Sequence, residues 1–142
     1  MSNYKTSSMT KTRNYQKILI VEDEGDMCLV LEMILHKKDV SIHHVKKISG
    51  AEEYLKNSTP DLILLDNRLP DGLGVDFIYF IRRFYPTVKI IMISGKDGVL
   101  KDIALHNGAN LFLLKPFSRL ELLRSVESLL NAQYNFAEDI SA

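Results

Sequence analysis

The chain has 142 residues, enough for one domain that buries a real core. Lys plus Arg and Asp plus Glu both number 18, so no overall field favours nucleic acid or an acidic membrane. The lone cysteine, Cys28, excludes an internal disulfide and suits a reducing, intracellular setting, and its place in an apolar helical pattern marks a buried structural thiol.

Residues 1–16 carry Lys5, Lys11 and Arg13 but no acid, and read as a flexible N-terminal arm. They lack the apolar segment of a signal peptide, and no apolar run in the chain approaches the ~20 residues of a membrane span. Lys17 to Val21 is the first strand, a buried run that ends in Glu22, Asp23 and Glu24. Glu24 and Asp26 suit the acidic first turn of a helix. Glu22 and Asp23 lie beside the buried run, where carboxylates repel one another unless a cation is present. Met27, Val30, Leu31 and Ile34 recur at helical spacing and predict a helix over roughly Gly25 to His36.

Val40 to Val45 alternates only partly, which suits an edge strand. His43 and His44 are adjacent, so they point to opposite faces and make a poor metal pair; both are read as surface or edge residues, as are His36 and His106. Ser49 with Glu52 resembles a capping box and predicts a short helix to about Asn57. Leu62 to Leu65 is an unbroken apolar run that ends at Asp66, and Pro70, Gly72 and Gly74 follow closely. Such a run reads as a parallel strand buried on both faces. Asp66 then lies where open α/β sheets place ligands, although Asp is equally at home opening a turn.

A helix follows from Val75 to Phe84, with Ile78 and Ile81 inward and Pro86 as its stop. Val88 to Ile93 is the fourth strand and ends in Ser94-Gly95. A helix over Val99 to His106 closes at Asn107-Gly108, and the fifth strand, Asn110 to Leu114, ends in Lys115-Pro116-Phe117. Ser118 with Glu121 forms a second capping-box pattern, opening a helix that runs to about Asn131. That last helix carries more leucine and valine than one buried stripe requires; deep packing against the sheet is the favoured reading and a partner face the alternative. Residues 132–142 form a short tail.

Strands alternating with helices predict an α/β fold, a parallel sheet with helices on both faces. Its strand ends then converge, bringing Glu22, Asp23, Asp66, Ser94 and Lys115 into one pocket. Three acids make a hard oxygen site for Mg²⁺, or Mn²⁺. Lys115 and Ser94 can hold a tetrahedral dianion beside it, and Asp66 can act as a nucleophile that forms an acyl phosphate.

Val21-Glu22-Asp23, Leu65-Asp66 with Pro70 and Gly74, Ile93-Ser94-Gly95 and Lys115-Pro116-Phe117 together resemble the receiver domain of two-component response regulators. The resemblance runs from about Lys17 to Asn131, so residues 17–131 are expected to be the receiver domain. It implies a flavodoxin-like, doubly wound five-stranded sheet of order 2-1-3-4-5. It implies that Asp66 takes a phosphoryl group from the phosphohistidine of a sensor histidine kinase or histidine phosphotransfer protein in the cytoplasm. Mg²⁺ would be held by Asp23, Asp66, Glu22 (mostly through water) and the backbone carbonyl of Arg68. Ser94 and Lys115 would bond phosphoryl oxygens, and Gly95 would leave open space above the site. Phe112 holds the aromatic switch position, which turns inward when Ser94 moves. Arg68 and Lys96 stand where the family tunes phosphate lifetime. Such a domain is no enzyme in the usual sense: it catalyses only its own phosphorylation and dephosphorylation.

Other readings fit less well. A haloacid-dehalogenase-type phosphatase needs a second Asp where Arg68 stands, and a flavodoxin-like FMN carrier would meet repulsion from Glu22-Asp23-Glu24. A degenerate receiver that only binds proteins is at odds with the intact Asp23, Asp66, Ser94 and Lys115. With no DNA-binding motif after Asn131, the output is expected to run through protein contacts, with no direct nucleic-acid or membrane partner. The alternative is a receiver fragment of a larger DNA-binding regulator. The less favoured reading of the last helix makes the fourth helix, fifth strand and fifth helix a partner or dimer face.

Overall fold

The computed structural model describes residues 15–95 and 98–130. Residues 1–14, Lys96 and the tail from Asn131 lie outside the described residues, and with them most of the arm, the tail and the expectation placed on Lys96.

In chain order the elements are β1 (Gln16–Val21), α1 (Gly25–Leu35), β2 (Val40–Val45), α2 (Ile48–Asn57) and β3 (Leu62–Asp66). Two short strands follow, β4 (Arg68–Leu69) and β5 (Gly72–Leu73), and then α3 (Gly74–Phe84). The chain continues through β6 (Lys89–Ser94), α4 (Gly98–Asn107), β7 (Leu111–Leu114) and α5 (Arg119–Leu129). The long strands form one sheet in the order β2-β1-β3-β6-β7, and every neighbouring pair is parallel. Counted without the short hairpin, this is the expected order 2-1-3-4-5. β1 begins at Gln16, which pairs with Val40, so the sheet takes in the last residue assigned to the arm.

Two cores flank the sheet, because alternate residues of each strand face opposite sides. Leu19, Val21, Ile63, Leu65, Ile90 and Met92 pack against Ala51 and Leu55 of α2, Val75, Ile78 and Ile81 of α3, and Ala104 of α4. Ile18, Ile20, Leu62, Leu64, Ile91 and Ile93 pack against Cys28, Leu31 and Leu35 of α1 and Leu122, Leu123 and Val126 of α5. The apolar runs in β1 and β3 are therefore buried on both faces. β2 lies at one edge, and its Ser41 and His43 are exposed. The last helix buries Leu122, Leu123 and Val126, which accounts for most of its apolar content by deep packing.

The two capping-box patterns part ways. At α5, Ser118 Oγ accepts from the Glu121 N–H at 3.0 Å, and Glu121 Oε1 accepts from the Ser118 N–H at 2.8 Å. At α2, Ser49 is not the cap. The helix starts two residues earlier than a Ser49 cap requires, at Ile48, and Lys47 at its N-cap position makes no side-chain cap bond. Asp71, in the β4–β5 turn, caps it instead: Oδ1 accepts from the Ile48 N–H at 2.8 Å and Oδ2 from the Ser49 N–H at 2.9 Å. An ionised carboxylate satisfies two of the orphan donors of a helix start better than one hydroxyl does.

Candidate functional site

β1 and β3 are neighbours, while β2 lies beyond β1 and β6 beyond β3. The connections thus diverge at the β1/β3 boundary, the place where open α/β sheets leave a crevice at the carboxyl ends of their strands. Glu22 and Asp23 follow β1 directly, and Asp66 is the last residue of β3, in register with Ile93. Ser94 ends β6, and Lys115 follows β7, its N–H donating to the Ser94 carbonyl at 2.8 Å. The peptide between Lys115 and Pro116 is cis.

All five residues named from the sequence meet here. Carboxylate oxygens of Glu22, Asp23 and Asp66 lie within 4.8 Å of one another. Lys115 Nζ is 3.3 Å from Asp66 Oδ1 and 3.6 Å from Glu22 Oε1. Asp66, Arg68, Ser94, Gly95 and Lys115 line a cleft of about 340 Å³. Gly95 has open space where a side chain would begin. Phe112, in register with Met92, is half-buried against the α2–α3–α4 core.

The electrostatics are unbalanced toward acid. Burial pushes the Glu22 carboxyl above its ordinary value; its hydrogen bond from the Glu24 N–H opposes this, while Asp66 pushes upward and Lys115 downward. Glu22 is only 3% exposed, so its charge has little water to lean on. Lys115 lies at ion-pair distance from two of the three clustered carboxylates, Glu22 and Asp66. A hard divalent cation would complete this donor set, since the three clustered ligand atoms are all carboxylate oxygens.

The packed structure gives three residues supporting roles that the sequence did not assign them. Asn67 is buried, and its Oδ1 accepts from the Val75 N–H at 3.0 Å while its backbone carbonyl accepts from the Gly74 N–H at 2.7 Å. It thereby ties the start of α3 to the end of β3, next to Asp66. Gly74 is packed so closely that a Cβ there would overlap the Asp66 carbonyl oxygen. His44 is not simply an edge residue: its Nε2 is 2.8 Å from the Glu22 carbonyl oxygen. The parity of Val40, Ile42 and His44 was the available signal, since the first two pack on the α1–α5 core. His43, on the opposite face, stacks on Tyr54 with ring centroids 4.9 Å apart.

None of the described helices is long and apolar enough to cross a membrane. Residues 18–127 match the model of the response regulator receiver domain. Response regulator protein PilR of Pseudomonas aeruginosa is 34% identical over 125 residues, which is 87% of this chain. The chain spans only 28% of the length of PilR. A two-component response regulator from Clostridium difficile superposes with a TM-score of 0.77 at 28% identity, covering 84% of this chain and 98% of that one. The receiver domain of NtrC4, solved as a beryllofluoride-activated dimer, gives a TM-score of 0.75 at 32% identity, covering 80% of this chain and 94% of its own. With its family match extending across both cores and every strand end of the acidic cleft, this chain belongs to the response regulator receiver domains.

Proposed function

We propose that the protein is a phosphoacceptor in a two-component relay, and that Asp66 receives the phosphoryl group. The observation that carries this reading is the pairing of Asp66 with Lys115 at 3.3 Å inside an acidic cleft that also contains Ser94. An Asp66 carboxylate oxygen attacks the phosphorus of a phosphohistidine on a sensor histidine kinase or histidine phosphotransfer protein. The P–N bond breaks, its electron pair stays on the imidazole nitrogen, and an acyl phosphate forms on Asp66. Lys115 moves from carboxylate to phosphoryl oxygen, and the Ser94 hydroxyl bonds another. Glu22, Asp23, Asp66 and the Arg68 carbonyl would hold Mg²⁺, which supplies charge neutralisation when bound. The only reactions catalysed are phosphorylation and dephosphorylation of the chain itself, in the cytoplasm.

The output reading is a change of protein contacts. Val99 and Ile103 of α4, Leu114 of β7 and Leu120 of α5 are exposed apolar side chains on the face proposed to switch. Phe112 turning inward beneath that face would alter it, either for a partner or for a second copy. That this receiver serves a longer regulator is a second reading, favoured by the 28% coverage of PilR.

Incubation with Mg²⁺ and acetyl phosphate should add one phosphoryl mass to the chain, and Asp66→Asn should abolish it. An undiminished mass shift in that variant would remove Asp66 as the acceptor.

A further inference from the structure

A second group of ligating side chains lies on the α1–α5 side of the sheet. Cys28 and Glu32 are four residues apart in α1, which places them on one helix face. His44 of β2 pairs in register with Ile20, which packs in the same core as Cys28. One sulfur, one carboxylate oxygen and one ring nitrogen from these three residues lie within 4.8 Å of one another. Cys28 Sγ and Glu32 Oε2 are 3.7 Å apart. Zinc bond lengths at a tetrahedral angle put a sulfur and an oxygen ligand about 3.5 Å apart, so this pair already stands at chelating distance. The bond between His44 Nε2 and the Glu22 carbonyl holds the ring in place. Cys28 is buried while Glu32 and His44 are half-buried, which walls the group on the core side and leaves it open toward solvent.

We propose that Cys28, Glu32 and His44 form a second metal site, separate from the acidic cleft, that takes Zn²⁺ with water as fourth ligand. The donor types differ in kind from those of the cleft. Thiolate and imidazole favour a borderline-soft ion over Mg²⁺, whose preference is for oxygen alone. Burial first, and then the Glu32 carboxylate, push the Cys28 thiol up to about 11. The thiol is therefore protonated in the free protein. As the Zn–S bond forms, the S–H bond breaks and the proton leaves to solvent.

Cobalt(II) is the probe, because a thiolate bound to it gives a charge-transfer band in the near ultraviolet. Cys28 is the only cysteine in the chain, so such a band has one origin. Titration of the full chain with Co²⁺ in saturating Mg²⁺ should produce the band at one equivalent, and Zn²⁺ should remove it. Glu32→Gln and His44→Asn should each weaken Co²⁺ binding roughly tenfold or more, Cys28→Ser should abolish the band, and Asp66→Asn should leave it intact. Circular dichroism of each variant checks the fold. Absence of the band in the parent protein overturns the proposal whatever the variants do. A band that persists at equal affinity in folded Glu32→Gln and His44→Asn overturns it as well.

Discussion

Glu22 carries a conflict between stability and function. Its carboxylate is almost fully buried, close to Asp66, and only partly offset by Lys115 at 3.6 Å. Removing that charge should relieve the fold in the absence of a cation. Glu22→Gln is expected to raise Tm by a few degrees in chelator, measured by thermal unfolding, because Lys115 keeps Asp66 as its partner. A lower Tm would mean that the ion pair outweighs the desolvation. Gly74 is the opposite case, a residue with no charge whose absent side chain is the point. A Cβ there overlaps the Asp66 carbonyl oxygen, so backbone must move at the proposed phosphoacceptor. Gly74→Ala should cost about 1–3 kcal/mol in denaturant unfolding, the usual scale of overpacking, and should slow acetyl-phosphate labelling of Asp66. Labelling at the parental rate would show that the end of β3 yields without disturbing its carboxylate.

Among the elements, α2 shows how a helix start can depend on a distant turn. Backbone N–H groups of Ser49 and Ile48 donate to Asp71, and these bonds, that of Ser49 foremost, hold the Asp71 carboxyl below its ordinary value. A carboxyl lowered by folding stabilises the native state above its unfolded pKa, and that contribution is lost as pH falls through the folded value. Asp71→Ala should therefore lower Tm at neutral pH, and the gap to the parent should close as pH drops below the ordinary aspartate range. A gap independent of pH would assign the loss to packing of the turn rather than to the cap. The β4–β5 hairpin that carries Asp71 follows β3 directly, so this cap also braces the segment leading from Asp66 to α3. α5 needs no such help, since Ser118 and Glu121 cap it locally.

At the scale of the whole molecule, the strand ends form a small charge network, which the proposed function couples to a distant face. A lysine and a carboxylate 3.3 Å apart interact by about 5 kcal/mol at a near-surface effective dielectric, before desolvation is subtracted. Full reversal of a two-state equilibrium needs about 5.5 kcal/mol, so moving this one contact is of the right size to bias a switch, with Ser94 adding to it. Lys115→Ala should still fold and bind Mg²⁺. Its α4 and β7 resonances should fail to respond to beryllofluoride, because Lys115 no longer transmits the change toward Phe112. An NMR response equal to that of the parent would remove Lys115 from the switch while leaving Asp66 as acceptor.

The sheet and the cleft were legible in the chain because their signals are local. Buried parallel strands read as unbroken apolar runs, and a polar residue that ends such a run marks the sheet edge, as Asp66 and Ser94 do. The order of those polar ends was enough to name Glu22, Asp23, Asp66, Ser94 and Lys115 together. What the sequence could not decide is which distant group satisfies a local need. Ser49–Glu52 and Ser118–Glu121 carry the same signature, yet only the second is a cap, because Asp71 reaches the N–H groups of α2 from 22 residues away. His44 likewise looks like an edge histidine until the sheet brings the Glu22 carbonyl to its ring and α1 brings Cys28 and Glu32 beside it. Hydrogen bonds and metal ligands are chosen by distance in space, and only the packed tertiary structure determines that distance.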